Sequence, residues 1–524
     1  MKRLTIVLLA LCLSFMTADP SISADIDFSG EYYVEGVWNS KPDLLDSDSR
    51  REHRRMRLRV QTDFTVTDNL MLTTRFDALD KLWNTNDSAL DPSVKKGFND
   101  VDATNIDFNR AYMSIKTKVG LFQIGRMEGI TWGTTWADDY ADVDRIKYVL
   151  PLDVKDGKLY IVAINEKTTE NDIDMDLAGK DNDKWYLATV YKQDKFDGGL
   201  LFGYYNFNRS PDAGQRFAID QFDEAGYSLT SGGATAYGSL LTGYGTALAM
   251  DGGTPGANVV AFLTANPDFR STYAKLGAPG LAGTPLDIIA TRNALSESDV
   301  YLLSPYFRGK FGKLGITAEL DYIFGTVEYV DGIEEDHDVA AYSWFAEATV
   351  DAGPLIFQAG YAYRSGDSDD TDNDEESMGF VSPGLDWEKM FILSSDSHGM
   401  NRSFAGGLGN HVGTKYLTWS QALIDGFQMP YIGVDYAATD SVTIGLLAAF
   451  STADTTRPGW DDDQGTEVDL NITWKLMDNL EYRFTAAYLA SGDYWKGDPN
   501  NIISTYNPDP EDITCLYSKL TLTF

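Results

Sequence analysis

The feature of this sequence that most constrains its fold is a period of two in hydrophobicity, which recurs along most of the chain. The run TEVDLNITWK shows it, and so does the run CLYSKLTLTF. A strand has this period when one of its faces is apolar and the other is wet. In the first run Val468, Leu470, Ile472 and Trp474 alternate with Glu467, Asp469, Asn471, Thr473 and Lys475. The chain is therefore expected to be built from strands with two different faces.

Short and long connections alternate between these strands. Eight tight turns carry the Gly, Asn or Asp that hairpin turns require. They are predicted at Thr67-Asp68-Asn69, Lys118-Val119-Gly120, Lys155-Asp156-Gly157, Asp197-Gly198, Phe311-Gly312-Lys313, Asp351-Ala352-Gly353, Thr439-Asp440 and Met477-Asp478-Asn479. Longer polar connections lie between them, for example Lys81 to Thr104 and Ser210 to Glu297.

Short turns on one side and long loops on the other are typical of a transmembrane antiparallel β-barrel. The pattern predicts an all-β fold of about 18 strands, within a range of 16–20. With eighteen strands, eight short turns and nine long loops alternate without a break. Because lipid cannot hydrogen-bond an open sheet edge, the last strand is expected to pair with the first.

The domain organisation is predicted to be simple. Lys2 and Arg3, the apolar run from Leu4 to Met16 and the small residues up to Ala24 are typical of a secretory signal peptide over residues 1–24. Residues 25–524 then form a single barrel, with its longest loops at about 210–297 and 366–425.

Composition excludes several classes of function. Against 79 acidic residues stand 43 basic ones, a formal net charge of −36, whereas nucleic-acid binding needs clustered Lys and Arg. After removal of the signal peptide only Cys515 remains, which allows neither an internal disulfide nor a cysteine metal cluster. Neither G-x-S-x-G nor H-E-x-x-H occurs. We therefore expect no enzyme activity, no metal centre and no cofactor, while calcium binding by the acidic run 365–377 stays open.

In its signal peptide, its alternating strands and its terminal strand ending in Phe524, the sequence resembles the Gram-negative outer-membrane porins. The resemblance covers essentially the whole mature chain. It implies a water-filled channel in the bacterial outer membrane for passive diffusion of ions and small hydrophilic solutes. It also implies contact with outer-membrane lipid and lipopolysaccharide, and Phe524 as the signal read by the barrel-assembly machinery. A homotrimer stays open, and so do two other functions: an insulating sheath around an electron-transfer cytochrome, and a substrate-specific exporter.

A ring of about eighteen strands leaves an aqueous lumen, which the wet faces of the strands should line. The residues predicted to line this pore are Arg55, Arg57, Arg59, Arg75, Arg110, Lys116, Glu31 and Glu35. Two interpretations of the arginines stand side by side. They guide anionic solutes, or they pair with Glu31, Glu35 and Asp77 in a static charged wall.

One loop segment is expected to fold into the lumen. Residues 225–267 carry a single charge, Asp251, in a chain that is otherwise rich in acid. A long loop is usually functional, and a charge-poor one suits a packed environment. The alternatives are a surface loop, or a hidden hairpin that would raise the strand count to twenty.

Overall fold

The computed structural model of the chain describes residues 25–41, 44, 50–83, 106–129, 131–136, 138, 141–169, 182–208, 296–329, 336–367, 374–378, 387–394, 425–456, 459–497 and 509–524. The predicted signal peptide and the segment 225–267 lie outside these residues. Among the residues described, no helix has the length and apolar character that a membrane-spanning helix needs.

The described residues form nineteen strands, and eighteen of them make up a closed ring. The strands are β1 (Asp25–Ser40), β2 (Arg50–Thr67), β3 (Leu70–Leu82), β4 (Ile106–Thr117), β5 (Gly120–Gly129), β6 (Ala141–Val154), β7 (Gly157–Thr169), β8 (Asn182–Lys192), β9 (Phe196–Asn208), β10 (Ser296–Phe311), β11 (Leu314–Tyr329), β12 (His337–Ala352), β13 (Leu355–Arg364), β14 (Asp374–Glu375), β15 (Phe427–Ala437), β16 (Val442–Thr452), β17 (Asp463–Met477), β18 (Leu480–Ser491) and β19 (Ile513–Thr523). The two-residue strand β14 stands outside the ring and pairs in parallel with the start of β12.

Each strand of the ring pairs antiparallel with its neighbours in the chain, and β1 closes the ring by pairing with β19 as well as with β2. At this seam Glu31 lies opposite Thr523 on one side and opposite Arg59 on the other. Beyond the last residue of β19, the backbone N–H of Gly30 donates to the carbonyl of Phe524 at 2.8 Å. The predicted all-β barrel of about eighteen strands, closed between its first and last strands, is confirmed.

The alternation of short and long connections is also confirmed. Eight connections of two to four residues follow β2, β4, β6, β8, β10, β12, β15 and β17, and the nine others are longer. One predicted turn was misplaced: Asp197 and Gly198 belong to β9, and the chain reverses between Lys192 and Phe196. There the backbone N–H of Gln193 donates to the carbonyl of Phe196 at 2.8 Å. The Asp-Gly pair at 197–198 led to the prediction, whereas the observed reversal at 193–195 contains no glycine.

The alternating faces of the strands point to opposite sides of the wall. In β17, Val468, Leu470 and Trp474 are exposed on the outside, whereas Glu467 and Asp469 are buried inside. This separation follows from the period of two, since successive side chains leave a strand on opposite faces. The outer face is apolar enough to lie in lipid.

Replacing Leu470 with Arg should therefore lower the free energy of unfolding by about 2–4 kcal/mol, the cost of Arg on a lipid face near the bilayer midplane. Leu470 lies at the middle of β17 and is 37% exposed. The measurement is urea unfolding in lipid vesicles, with Leu470→Ala as the control for lost side-chain volume. Equal stability of the Arg and Ala variants would show that this position does not face lipid.

Candidate functional site

The interior of the barrel is divided into an apolar region and a charged region. Towards the long-loop ends of β12 to β19 and of β1, the inward side chains form a buried apolar cluster. Its wall residues are Val37, Phe345, Ala362, Phe427, Met429, Tyr431, Leu447, Ala449, Ala487, Leu489, Ile513 and Cys515. The expectation that inward residues are the wet set is wrong for this region. Apolar surface of this extent is stable only when something covers it.

Part of the cover is a stretch of a long connection that folds into the lumen, here named the 387 segment (residues 387–394). Its residues Trp387, Met390, Ile392 and Leu393 are buried within the same apolar cluster. The segment lies in the connection between β14 and β15, within the predicted loop 366–425.

Two buried carboxylates on β17 hold the 387 segment by its backbone. Glu467, which is fully buried, accepts hydrogen bonds from the N–H groups of Ile392 at 2.6 Å and Leu393 at 2.7 Å. Asp469 accepts a third from the N–H of Phe391 at 2.8 Å. Three backbone hydrogen bonds from successive residues to two buried carboxyl groups fix both the position and the direction of the segment.

A second stretch of loop, the 132 segment (residues 131–136), enters the lumen from the connection between β5 and β6. It reaches β10, β11 and β12, which lie several strands away around the ring. There the indole N–H of Trp132 donates to the carbonyl of Ser304 at 3.0 Å, and the N–H of Thr134 donates to Glu319 at 2.6 Å. The 132 segment therefore runs across the lumen, from the β5–β6 side of the ring to the wall formed by β10, β11 and β12.

The two segments meet at a pair of tryptophans. Trp136 is 0% exposed, and its ring lies edge-on to Trp387 with centroids 4.9 Å apart. Its indole N–H donates to the hydroxyl of Ser343 at 3.0 Å, and its ring also packs near Phe345. Buried aromatic pairs of this geometry add stability beyond the area they bury. The two segments thus form one packed constriction inside the barrel.

Sequence reasoning missed both segments. The inward fold was predicted for residues 225–267 from their low charge, and that stretch lies outside the described residues. The available signals were different: the run WEKMFIL at 387–393, which holds five large apolar residues within an acid-rich loop, and the two tryptophans in TWGTTW at 131–136. Large apolar side chains are most often buried, so this many of them in a loop indicates that the loop packs against another part of the protein.

The predicted arginines of β2 lie inside the barrel, and each is paired with a carboxylate. Arg55 makes a bidentate pair with Asp80 at 2.8 and 2.9 Å, and Arg59 makes one with Asp77 at 2.7 and 2.8 Å. Arg57 contacts Glu31 at 3.1 Å and lies over the ring of Tyr33, 4.8 Å from its centroid. Bidentate pairs are geometrically specific, so these side chains have defined positions.

The other predicted pore-lining residues are spread along the same wall. Arg75 and Arg110 share Asp142, at 2.7 and 2.6 Å, and Arg110 also contacts Glu128 at 3.0 Å. Glu35 is buried and accepts a hydrogen bond from the hydroxyl of Tyr517 at 3.1 Å. Lys116 stands apart from this group, exposed near the short turn that follows β4.

The wall from β1 to β6 thus carries its charges as pairs. Five arginines, Arg55, Arg57, Arg59, Arg75 and Arg110, contact five carboxylates, Asp80, Glu31, Asp77, Asp142 and Glu128. Of the acids named for the static interpretation, Glu31 and Asp77 take part, and Asp80 was not foreseen. Such a wall presents strong local dipoles with little net charge.

A cavity of about 410 Å³ opens on the short-turn side of the 387 segment. Its lining includes Lys389 and Phe391 of that segment together with wall residues of β13, β15, β17, β18 and β19. Lys389 pairs with Glu347 on β12. A second cavity of about 690 Å³ lies farther towards the short turns and is lined in part by Glu31, Arg483 and Lys519. A solute in the lumen would therefore meet polar cavities on the short-turn side of the constriction.

The sequence matches no family model, and no curated protein matches it. Among solved structures, the chain is similar in fold to several porins. OccAB1 of Acinetobacter baumannii is 9% identical to this chain. The match covers 97% of this chain and 99% of OccAB1, with a TM-score of 0.48. OccAB4 of the same organism is 8% identical, with 97% and 100% covered and a TM-score of 0.47. A BenF-like porin from Pseudomonas fluorescens Pf-5 is 7% identical, with 95% and 99% covered and a TM-score of 0.46. What this chain has, by its own strand pairing, is the fold of a closed eighteen-stranded antiparallel barrel.

Proposed function

We propose that this protein is a porin: a water-filled channel of the Gram-negative outer membrane, through which ions and small hydrophilic solutes diffuse passively. The observation that carries the proposal is the closed ring of eighteen strands, which is apolar outside and carries a wall of paired charges inside from β1 to β6. Rings of 16–18 strands are wide enough to leave an aqueous channel, whereas rings of about eight are filled by their own side chains.

The proposed path runs between the paired wall of β1 to β6 and the constriction formed by the 387 and 132 segments. Both boundaries are held by hydrogen bonds and ion pairs of defined geometry. Rings of charged side chains around a narrowed passage are how many channels select their solutes. On this proposal, Arg55, Arg57, Arg59, Arg75, Arg110, Glu31 and Glu35 line the path, and Lys116 lies at its short-turn mouth.

The proposed partners follow from the membrane setting. The exposed apolar side chains on the outer face would contact lipid, and the long connections would face lipopolysaccharide. Phe524, exposed beside the seam of the ring, is proposed as the residue that the barrel-assembly machinery reads. A homotrimer is one arrangement in which such barrels would lie side by side.

The interior also bears on the alternative functions. A sheath around a cytochrome needs a lumen free to hold it, whereas here the 387 and 132 segments pack inside the ring. An exporter would have to move these segments aside, because Glu467 and Glu319 bind them to the wall. Passive diffusion past the constriction requires neither change, and it involves no chemistry on the solute.

Planar-bilayer recording of the purified protein tests the proposal. We expect discrete, stable current steps whose size rises with salt concentration. Liposomes that contain the protein should swell in small sugars and not in large dextrans. Absence of current steps from protein whose barrel is shown to be folded by circular dichroism would contradict the channel function.

A further inference from the structure

We propose that the cavity on the short-turn side of the 387 segment is a saturable binding site for a neutral, polyhydroxylated solute of the size of a mono- or disaccharide. The inference deepens the proposed channel function and rests on it, since the site lies in the lumen. Its volume of about 410 Å³ falls in the range of small-molecule sites. The residues that carry the argument are Phe391, Asp469, Asn471, Thr485, Gln358 and Tyr517, all of which line the cavity.

The polar lining offers both hydrogen-bond donors and acceptors. Asn471 uses its Oδ1 to accept from Thr485 at 2.7 Å, so its amide nitrogen is left to donate to a solute. Gln358 donates to Asp435 at 3.3 Å, which leaves its amide oxygen as an acceptor. A hydroxyl group both donates and accepts, so a run of hydroxyls fits such a lining.

Asp469 fixes the position of Phe391 at the edge of the cavity. One of its oxygens, Oδ2, accepts a hydrogen bond from the backbone N–H of Phe391 at 2.8 Å, and the residue is only 1% exposed. A buried hydrogen bond of this kind has a defined geometry, so it holds the Phe391 ring beside the space that the solute would occupy.

An aromatic pair supplies the apolar surface of the site. The rings of Phe391 and Tyr517 lie with centroids 5.2 Å apart at an angle of 40°. One ring belongs to the 387 segment and the other to β19, so the pair exists only because the segment is folded in. The apolar C–H face of a sugar ring packs on aromatic rings of this kind.

The charges of the lining argue against an ionic solute. Three cations and three carboxylates line the cavity: Lys389, Arg483 and Lys519, and Glu388, Asp435 and Asp469. The cations already have protein contacts: Lys389 with Glu347, Arg483 with Glu481 at 2.6 Å, and Lys519 over the ring of Tyr33 at 4.2 Å. A balanced lining attracts neither sign strongly, and desolvating an ion there would be unfavourable.

The test is isothermal titration calorimetry of the folded protein in detergent micelles, with sucrose as the probe. We expect saturable binding that is weakened about tenfold in the double variant Asn471→Ala with Thr485→Ala, since two hydrogen-bonding side chains are lost. The matched control is Gln123→Ala with Ser114→Ala. That pair is also an inward amide–hydroxyl pair, joined at 3.3 Å, and its strands β4 and β5 lie six strands away from β17 and β18 around the ring. The control should bind sucrose as the parent does.

Sodium gluconate and L-serine serve as probes of the rival classes, an anion and a zwitterion. Tighter binding of either than of sucrose would overturn the proposal, and so would an absence of saturable sucrose binding. Equal weakening in both double variants would overturn it too, because the loss would then not be local. Calorimetry does not require conduction. Conduction without sucrose binding would therefore refute the site alone, and sucrose binding without conduction would refute the channel alone.

Discussion

Replacing Glu467 with Ala should raise the single-channel conductance of this protein roughly twofold or more, because it releases the 387 segment from the wall. The carboxylate accepts hydrogen bonds from two successive backbone N–H groups, those of Ile392 and Leu393. Without it these donors stay buried and unpaired, at a cost of about 1–3 kcal/mol each. The free energy of the segment is then lower when it leaves the wall and its N–H groups bind water, so the passage widens.

Three variants separate release of the segment from a simple change of charge. Glu467→Gln keeps one oxygen acceptor and should give an intermediate conductance. Glu166→Ala removes another buried carboxylate, from β7, where it pairs with Lys184 at 3.7 Å and Arg145 at 3.9 Å and has no contact with either segment among the described residues. It should leave the conductance near that of the parent. Replacing residues 387–394 with a Gly-Ser linker of equal length should match the Glu467→Ala value. If the linker variant conducts like the parent, the segment does not restrict the path.

Neutralising Arg55, Arg57 and Arg59 together by substitution with Gln should make the channel more selective for cations. Each substitution leaves a carboxylate without its counter-charge: Asp80, Glu31 and Asp77, respectively. An uncompensated charge about 4 Å from the path is worth on the order of 1 kcal/mol in water, or about fivefold in the cation-to-anion permeability ratio. The measurement is the reversal potential in a salt gradient.

The pairing provides a matched control that single arginine substitutions lack. Adding Asp80→Asn, Glu31→Gln and Asp77→Asn to the triple variant restores the net charge of the wall. The six-fold variant should therefore return to the parent's reversal potential. The shift should also shrink at high salt, since the screening length falls from about 10 Å at 0.1 M to about 3 Å at 1 M. A triple variant with the parent's reversal potential at low salt would show that these arginines serve the wall alone.

Most of the fold could be predicted from the sequence because a barrel wall is specified locally. In β17, the choice between Leu470 outside and Asp469 inside is made by alternation alone, and short turns such as Asp156-Gly157 mark where strands reverse. Closure then follows because lipid cannot hydrogen-bond the unpaired N–H and C=O groups of an open sheet edge. The strand count and the alternation of connections were obtained in this way.

The interior could be predicted only in part. Alternation placed Arg55, Arg57 and Arg59 on the inner face, and charge balance suggested carboxylate partners. Which carboxylate pairs with Arg55 depended on the register of β2 and β3. The register shifts where Met56 and Leu58 of β2 face Lys81 and Ala78 of β3, and Asp80 lies at this shift. A one-residue change in pairing moves every following side chain to the other face, and no residue pattern in the sequence marks where such a change occurs.

The constriction was decided by the tertiary structure alone. Trp136 and Trp387 are 251 positions apart and come from different connections, and they meet only because the ring brings β5, β12 and β17 around a common space. Where a loop segment packs depends on the groups that the facing wall presents. Here these groups are the carboxyl groups of Glu467 and Glu319 and the apolar cluster beside them. The sequence by itself thus determined the strands, their faces and their closure, since these follow from local periodicity and from the lack of hydrogen-bonding partners in lipid. Only the tertiary structure decided what narrows the lumen and which charges pair, since both depend on contacts between residues far apart in the chain.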